Sequence, residues 1–239
     1  MLERVVRIET ETALSALLVR LRQPGTPMVL AFVNAHAMNS LASSARFFDA
    51  IHSADIVLRD GSGMSALYRM LSRSPGLNLN GTDLIPRIIR QFDGEKIALF
   101  GTQEPYLDNA RRKIAKDLAA HSELVTEHGF REVDAYASLA FEQRPALILL
   151  GMGMPKQEEV AMRLRSALNF PCLILCGGAI IDFLGGKTAR APRWMRLAGV
   201  EWLFRLALEP RRLFRRYVIG NLLFLSRALY FSLSVKPGK

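Results

Sequence analysis

A chain of 239 residues, half of them apolar, has room for one large domain or for a domain with an appendage. Its charge is split: residues 1–186 hold 20 Lys+Arg and 20 Asp+Glu, residues 187–239 hold 12 and 2, so the whole formal +10 sits in the last 53 residues. Cys172 and Cys176, four positions apart in an apolar run and so roughly 13 Å apart along a strand, exclude a disulfide and, with no other Cys in the chain, a zinc site; the charged N-terminal stretch speaks against a signal peptide, so a reducing, cytoplasmic setting is expected.

In chain order, short apolar runs alternate with helix-length segments. Strands are predicted at 28–33, 55–58, 96–100, 146–150 and 172–176, and helices at 38–51, 62–71, 83–92, 105–120 and 155–168. Runs that are apolar throughout, such as Ala146-Leu147-Ile148-Leu149-Leu150, suit strands covered on both faces. The fold class expected is therefore α/β: a Rossmann-like, mostly parallel sheet with helices on both faces over residues 1–186, then a basic amphipathic helical appendage over 187–239. Such sheets bind ligands beyond the C-terminal ends of their strands, so the strand ends are candidate sites and are expected on one rim.

The first predicted strand runs into Asn34 and His36. An amide holds a sugar hydroxyl or a phosphate oxygen, and an imidazole titrates near neutrality, although a place at the start of the next helix explains His36 as well. The second runs into Arg59-Asp60-Gly61-Ser62-Gly63, where the glycines permit a tight turn. A carboxylate there either takes a proton from an attacking hydroxyl or caps the following helix. Asn80, Gly81, Thr82 and Asp83 stand where another helix begins, suited to capping first and to the pocket second. Gly101 follows the strand 96–100. The run Gly151-Met152-Gly153-Met154-Pro155-Lys156-Gln157-Glu158 joins a strand to a helix. Its glycines let a backbone approach a ligand, Pro155 suits a first helical turn, and the free N–H groups with the helix dipole favour an anion such as a diphosphate. It is neither a dinucleotide fingerprint nor a P-loop. Gly177, Gly178 and Asp182 follow the last predicted strand.

The sequence has no Asp-x-Asp, His-x-x-x-His or Cys/His cluster to hold a divalent metal. A departing diphosphate would then be neutralised by helix dipoles and by the arginines of the tail. That tail, 190–217, interleaves arginines with Trp194, Trp202, Phe204 and Phe214. Residues 213–234 follow as an apolar helix of spanning length. On a 100° wheel, however, Arg212, Arg216, Arg227 and Ser234 fall on one side and Phe214, Tyr217, Phe224, Ala228 and Phe231 on the other. This predicts a helix lying in the interface of an anionic membrane; a spanning helix, or one that builds a homo-oligomer, are the other readings. Nucleic acid is not expected as a partner, because no nucleic-acid motif accompanies the basic residues. Lys236-Pro237-Gly238-Lys239 is the one segment expected to be disordered.

Asp60-Gly61, Asn80-Gly81-Thr82-Asp83-Leu84, Gly151 and Gly153 with Pro155-Lys156-Gln157-Glu158, Gly177-Gly178 with Asp182, Arg190-Ala191-Pro192 with Trp194, and Glu201-Trp202-Leu203-Phe204-Arg205 with Glu209-Pro210, Arg212 and Arg215-Arg216-Tyr217 run in order between about residues 34 and 221. Together they resemble the WecG/TagA/CpsF family of bacterial glycosyltransferases. The resemblance implies an inverting, metal-independent enzyme without a cofactor, which moves a hexose from a UDP-sugar to a polyprenyl-diphosphate-linked sugar in cell-surface polysaccharide synthesis. It implies a peripheral protein on the cytoplasmic face of the bacterial inner membrane. On this resemblance Asp60 is the catalytic base, and Asn34 and Gln157, with His36, Asn80 and Gly81, line the sugar pocket. Gly101, Gly151, Gly153, Pro155, Lys156, Glu158, Gly177, Gly178 and Asp182 hold the nucleotide, and Arg205, Arg212, Arg215 and Arg216 close over the substrates. Members that transfer N-acetylmannosamine carry Thr and Arg where this chain has Phe32 and Asn78. The donor is therefore left between N-acetylmannosamine-type hexoses and glucose or its relatives. The alternatives are an unrelated nucleotide-dependent Rossmann-like enzyme and a non-enzymatic scaffold docked on a membrane or on nucleic acid.

Overall fold

In the computed structural model, which describes residues 1–234, one parallel sheet of seven strands organises the chain. The strands are β1 (Val5–Val6), β2 (Met28–Val33), β3 (Ile56–Arg59), β4 (Ile97–Gly101), β5 (Leu124–Glu127), β6 (Leu147–Gly151) and β7 (Leu173–Cys176), in the order β1-β3-β2-β7-β6-β4-β5. The helices are α1 (Glu11–Arg22), α2 (Ala35–Leu41), α3 (Ala45–Ser53), α4 (Gly61–Met70), α5 (Gly81–Gln91), α6 (Tyr106–Asp117), α7 (Val133–Gln143), α8 (Lys156–Ala167), α9 (Ile180–Leu184), α10 (Arg193–Leu197), α11 (Glu201–Leu208), α12 (Pro210–Phe214) and α13 (Gly220–Ser234). A π-helical turn, Arg215–Ile219, joins the last two.

The expected α/β architecture is observed, and side-chain alternation along the strands explains its layers. Val29, Ala31 and Val33 join Ala98, Phe100, Ile148 and Leu150 in a core covered by α2, α3, α4, α7, α8 and α13. Leu30 and Phe32 join Ile97, Leu99, Leu147 and Leu149 in a second core under α1, α5, α6 and α9. Cys172 and Cys176 are free, buried thiols of the first core. Five of these elements lie outside the predicted set: the edge strands β1 and β5, and the helices α1, α7 and α9. The predicted helix 38–51 is two helices, because the Ser44 hydroxyl accepts from the Phe47 N–H at 3.2 Å and so starts α3 afresh.

Two neighbouring strands send the chain in opposite directions. β2 leads into α2 on the first face, whereas its partner β7 leads into α9 on the second. The crevice between such diverging connections is where open α/β sheets take their ligands.

The C-terminal segment lies over this crevice. α13 packs on α2 and α4, with Phe224 and Ala228 buried in the first core. Asn39 of α2 donates to the Gly220 carbonyl at 2.7 Å and accepts from Arg227 at 3.2 Å. Part of the apolar side expected to meet lipid is therefore turned to the body. A π turn holds more residues than an α turn, so the phase of the wheel slips at Arg215–Ile219 and the arginines separate. Arg212 pairs with Glu209, Arg216 enters the crevice and Arg227 reaches Asn39. A second apolar strip, Leu222, Leu229, Tyr230 and Leu233, is left exposed. From Pro210 to Ser234 the helix has 25 residues, long and apolar enough to cross a membrane by length and composition. The segment 236–239, expected to be disordered, lies outside the described residues.

Candidate active site

A cavity of about 670 Å³ opens beyond the C-terminal ends of β2 and β3, its other walls coming from α9 and the C-terminal segment. Asp60 occupies the N-cap position of α4. Its backbone N–H bonds the Val33 carbonyl at 2.8 Å, and Gly61 turns the chain with a φ of 80°, in the left-handed region that favours glycine. An N-cap aspartate ordinarily accepts from the first N–H groups of its helix; this side chain makes no such bond. Its contact is the amide Nδ2 of Asn34, 3.5 Å from Oδ2, the outer limit of a hydrogen bond. Asn34 itself does cap: its Oδ1 accepts from the Ala37 N–H at 3.0 Å, which fixes the amide and aims Nδ2 at Asp60.

Burial pushes the Asp60 carboxyl above the usual carboxylate range, opposed by the Asn34 hydrogen bond and by the charges of Arg216, Arg205 and Arg59. His36 lines the same cavity and is pushed down by burial and then by Arg216, which favours the neutral imidazole. Arg205 and Arg216 also face this space. Neither forms an ion pair among the described residues, and each has a buried Nε without a partner. Their guanidinium groups lie over Phe183 and Tyr217, each at 5.4 Å from the ring centroid. Buried guanidinium N–H groups without acceptors favour a bound anion.

Asn80 lines the cavity as well. It caps α5 by accepting from the Asp83 N–H at 2.9 Å and gives its Nδ2 to Asp83 at 2.8 Å. Gly81 stands beside it against the Phe32 ring. Asp83 is gripped by Arg190 at 2.5 Å and Arg196 at 3.6 Å; although burial opposes ionisation, these partners and Asn80 hold its carboxyl below the usual range. Arg59, only 4 % exposed, builds this wall from behind. It donates to the carbonyls of Pro75 at 2.5 Å, Gly76 at 2.9 Å and Leu77 at 2.8 Å and to the Ser65 hydroxyl at 2.9 Å, pinning the loop that brings Asn78 and Asn80 to the cavity.

The other residues expected at the site lie outside this cavity. A Cβ on Gly101 would stand 2.4 Å from the Gly151 carbonyl oxygen, so these two glycines permit neighbouring strands to close on each other. Gly177 is packed on Ile180 and Leu149, whereas Gly153 and Gly178 have open space about them. Pro155 precedes α8, and Lys156 donates to the carbonyls of Gly129 at 3.0 Å and Arg131 at 2.8 Å. Gln157, 1 % exposed, accepts from the Gly178 N–H at 2.9 Å and donates to Glu158 at 2.7 Å. Glu158 is 2 % exposed, has an Oε2 without a partner, and has its carboxyl pushed up to about 7 by burial. Asp182 accepts from Thr102 at 2.5 Å and pairs with Lys187 at 3.3 Å. Arg212 pairs with Glu209 at 2.6 Å, and Arg215 is exposed. The cavity thus unites Asn34, His36, Asp60, Asn80, Arg205 and Arg216. Among the described residues no three His, Cys, Asp or Glu side chains come together as a metal ion would need. Arg69, Arg196, Glu201 and Trp202, which are not among the expected site residues, also line the cavity; Glu201 and Trp202 stand in the block that carries the family resemblance, but only the docking of the C-terminal segment brings them to Asp60.

Residues 3–236 match a family model described as Glycosyl transferase WecG/TagA/CpsF family. The chain is 24 % identical over 188 residues, 77 % of its length and 73 % of the relative's, to an N-acetylglucosaminyldiphosphoundecaprenol N-acetyl-beta-D-mannosaminyltransferase of Bacillus subtilis (strain 168). It is 23 % identical over 186 residues, 76 % and 72 % of the two lengths, to a protein of the same name from Staphylococcus aureus (strain NCTC 8325 / PS 47).

Proposed function

This chain belongs to the WecG/TagA/CpsF family of glycosyl transferases, and from that premise we propose that it moves a hexose from a UDP-sugar to a sugar carried on polyprenyl diphosphate, with inversion and without a metal ion. The names of the Bacillus and Staphylococcus relatives support the polyprenyl-diphosphate acceptor and put N-acetylmannosamine first among donors, ahead of glucose-type sugars. One observation carries the chemistry: Asp60 stands at an N-cap, does not cap, and shares a cavity with two unpaired guanidinium groups.

In the proposed reaction the acceptor hydroxyl gives its proton to Asp60 while its oxygen attacks the anomeric carbon. The bond from that carbon to the β-phosphate oxygen breaks, and its electron pair leaves with UDP. Asn34 orients the carboxylate, and Arg205 and Arg216 neutralise the departing diphosphate. One displacement inverts the centre. We extend the reading to the membrane, with residues 187–239 as a peripheral anchor on an anionic cytoplasmic surface and 1–186 as the catalytic body. Exposed Trp194, Leu222 and Leu229 beside the tail's basic residues support this, as does the burial of Phe224 against the body, which leaves α13 lying along the protein.

Asp60→Asn is expected to lose about 10²- to 10⁴-fold in turnover while keeping its affinity for UDP by calorimetry. Wild-type turnover in that variant would remove Asp60 as the base. A panel of UDP-sugars offered with a lipid-linked acceptor ranks the donors, and stabilisation by NAD instead of UDP would favour an unrelated Rossmann-like enzyme.

A further inference from the structure

Glu201 and Trp202 open α11 and line the cavity that holds Asp60, yet the chemistry above uses neither. Four arginines, Arg69, Arg196, Arg205 and Arg216, share that cavity. Even so, Glu201 forms no ion pair and no hydrogen bond among the described residues, and Arg196 turns to Asp83 instead. An acid in the first turn of a helix gains from the helix dipole, but it would gain the same facing solvent. Here the carboxylate is half-buried: burial pushes it up, Arg190 and Arg205 pull it down, and Asp60 adds to the push.

A carboxylate partly removed from water and left without donors is unfavourable unless a ligand brings them. A diphosphate brings only acceptors and like charge. A sugar brings neighbouring hydroxyls, which the two oxygens of a carboxylate can accept together, and an apolar C–H face that rests on an aromatic ring. Trp202 supplies such a ring at the next position, set edge-on to Tyr217 with centroids 6.4 Å apart. Leu203 and Leu208 on α11 and Trp194 and Leu197 on α10 are exposed, so this wall, like α13, borders an apolar surface, and a sugar carried on a lipid would reach the cavity from such a surface.

We propose that Glu201 and Trp202 form the recognition site for the acceptor sugar, Glu201 accepting its hydroxyls and Trp202 stacking on its face. The inference rests on the glycosyl-transfer reading and divides labour between two carboxylates: Asp60 handles the proton, and Glu201 holds the acceptor. The test is steady-state kinetics on the full chain with a polyprenyl-diphosphate-linked N-acetylglucosamine acceptor, alongside UDP calorimetry and the pH profile. Glu201→Gln is expected to raise the acceptor KM about 10-fold or more, leaving kcat and UDP affinity as in wild type; the acidic limb persists and moves, if anything, to lower pH, because a like charge beside Asp60 is removed. Glu201→Asp, which keeps a carboxylate, recovers part of that loss, and melting curves confirm that both variants are folded. An unchanged acceptor KM in Glu201→Gln overturns the proposal, as does a UDP affinity that falls in step with it. Loss of kcat together with the acidic limb would make Glu201 the base and overturn it equally. A wild-type protein that neither binds UDP nor transfers sugar would instead remove the underlying reading, and this inference with it.

Discussion

Replacing Glu158 by Gln converts the burial of one carboxyl into a measurable pH dependence. Glu158 is 2 % exposed, accepts one hydrogen bond from Gln157 and leaves its Oε2 without a partner. Burial raises its pKa from the ordinary 4.5 to about 7. The folded protein therefore holds this proton more tightly than the unfolded chain. Its contribution to stability is complete below about pH 4.5 and is lost as pH rises through about 7. The interval corresponds to on the order of 3 kcal/mol, a large share of a typical folding free energy. The isosteric amide cannot ionise, so Glu158→Gln should match wild type near pH 4.5 and exceed its stability by about 3 kcal/mol above pH 8. For a chain of this length that is roughly 6–12 °C in Tm. Urea unfolding of both proteins at the two pH values measures the difference. A gap that does not change with pH, or a variant that becomes relatively weaker as pH rises, would refute the burial argument.

Three further outcomes follow from the cavity and its supports. Arg216→Gln removes a cation that favours the ionised form of Asp60, so the acidic limb of kcat/KM should move to higher pH; a limb that stays or moves down contradicts the coupling. Arg59→Met leaves the carbonyls of Pro75 and Gly76 without their donor and that of Leu77 with the Leu79 N–H alone, which should cost on the order of 3 kcal/mol by chemical denaturation. Leu222→Glu with Leu229→Glu alters only exposed positions of α13 and should weaken binding to anionic vesicles on the order of 100-fold; undiminished flotation would argue against docking through that strip.

How much could be read from the chain alone depends on how local the cause is. The central strands were legible because burial on both faces demands unbroken Val, Ile and Leu. β1 is two residues long and β5, Leu-Val-Thr-Glu, is half polar, so neither edge strand carries such a run. α1 had a readable signature in Thr10, whose hydroxyl accepts from the Ala13 N–H, followed by buried Leu14, Leu17, Leu18 and Leu21. α7 did not, since alanines make up much of its buried face. Asp60 shows the same limit at the site. Its position allowed both a cap and a base, and only the conformation of the side chain shows that it does not cap. The tail was legible as basic and aromatic, but a π turn resets the phase of its helix, and no wheel drawn at a constant angle anticipates that Arg216 and not Arg212 enters the cavity.

The charge asymmetry of the chain acquires a physical reason once these pieces are combined. On the proposed reading, the base must be shielded from water and yet ionised. Shielding works against ionisation, as the raised carboxyl of Asp60 illustrates. The body has 20 basic and 20 acidic residues; Arg69 lines the cavity but is not among the charges that act on Asp60, and Arg59, which is, is already committed to carbonyl oxygens. Arg205 and Arg216 come from the C-terminal segment, the same segment that covers the cavity. Cover and countercharge are therefore delivered together. If the segment withdrew, Asp60 would regain water, but the two guanidinium groups that would receive the departing diphosphate would go with it. A membrane surface that holds the segment through its exposed apolar strip would thus favour the assembled site at the place where a lipid-linked acceptor resides.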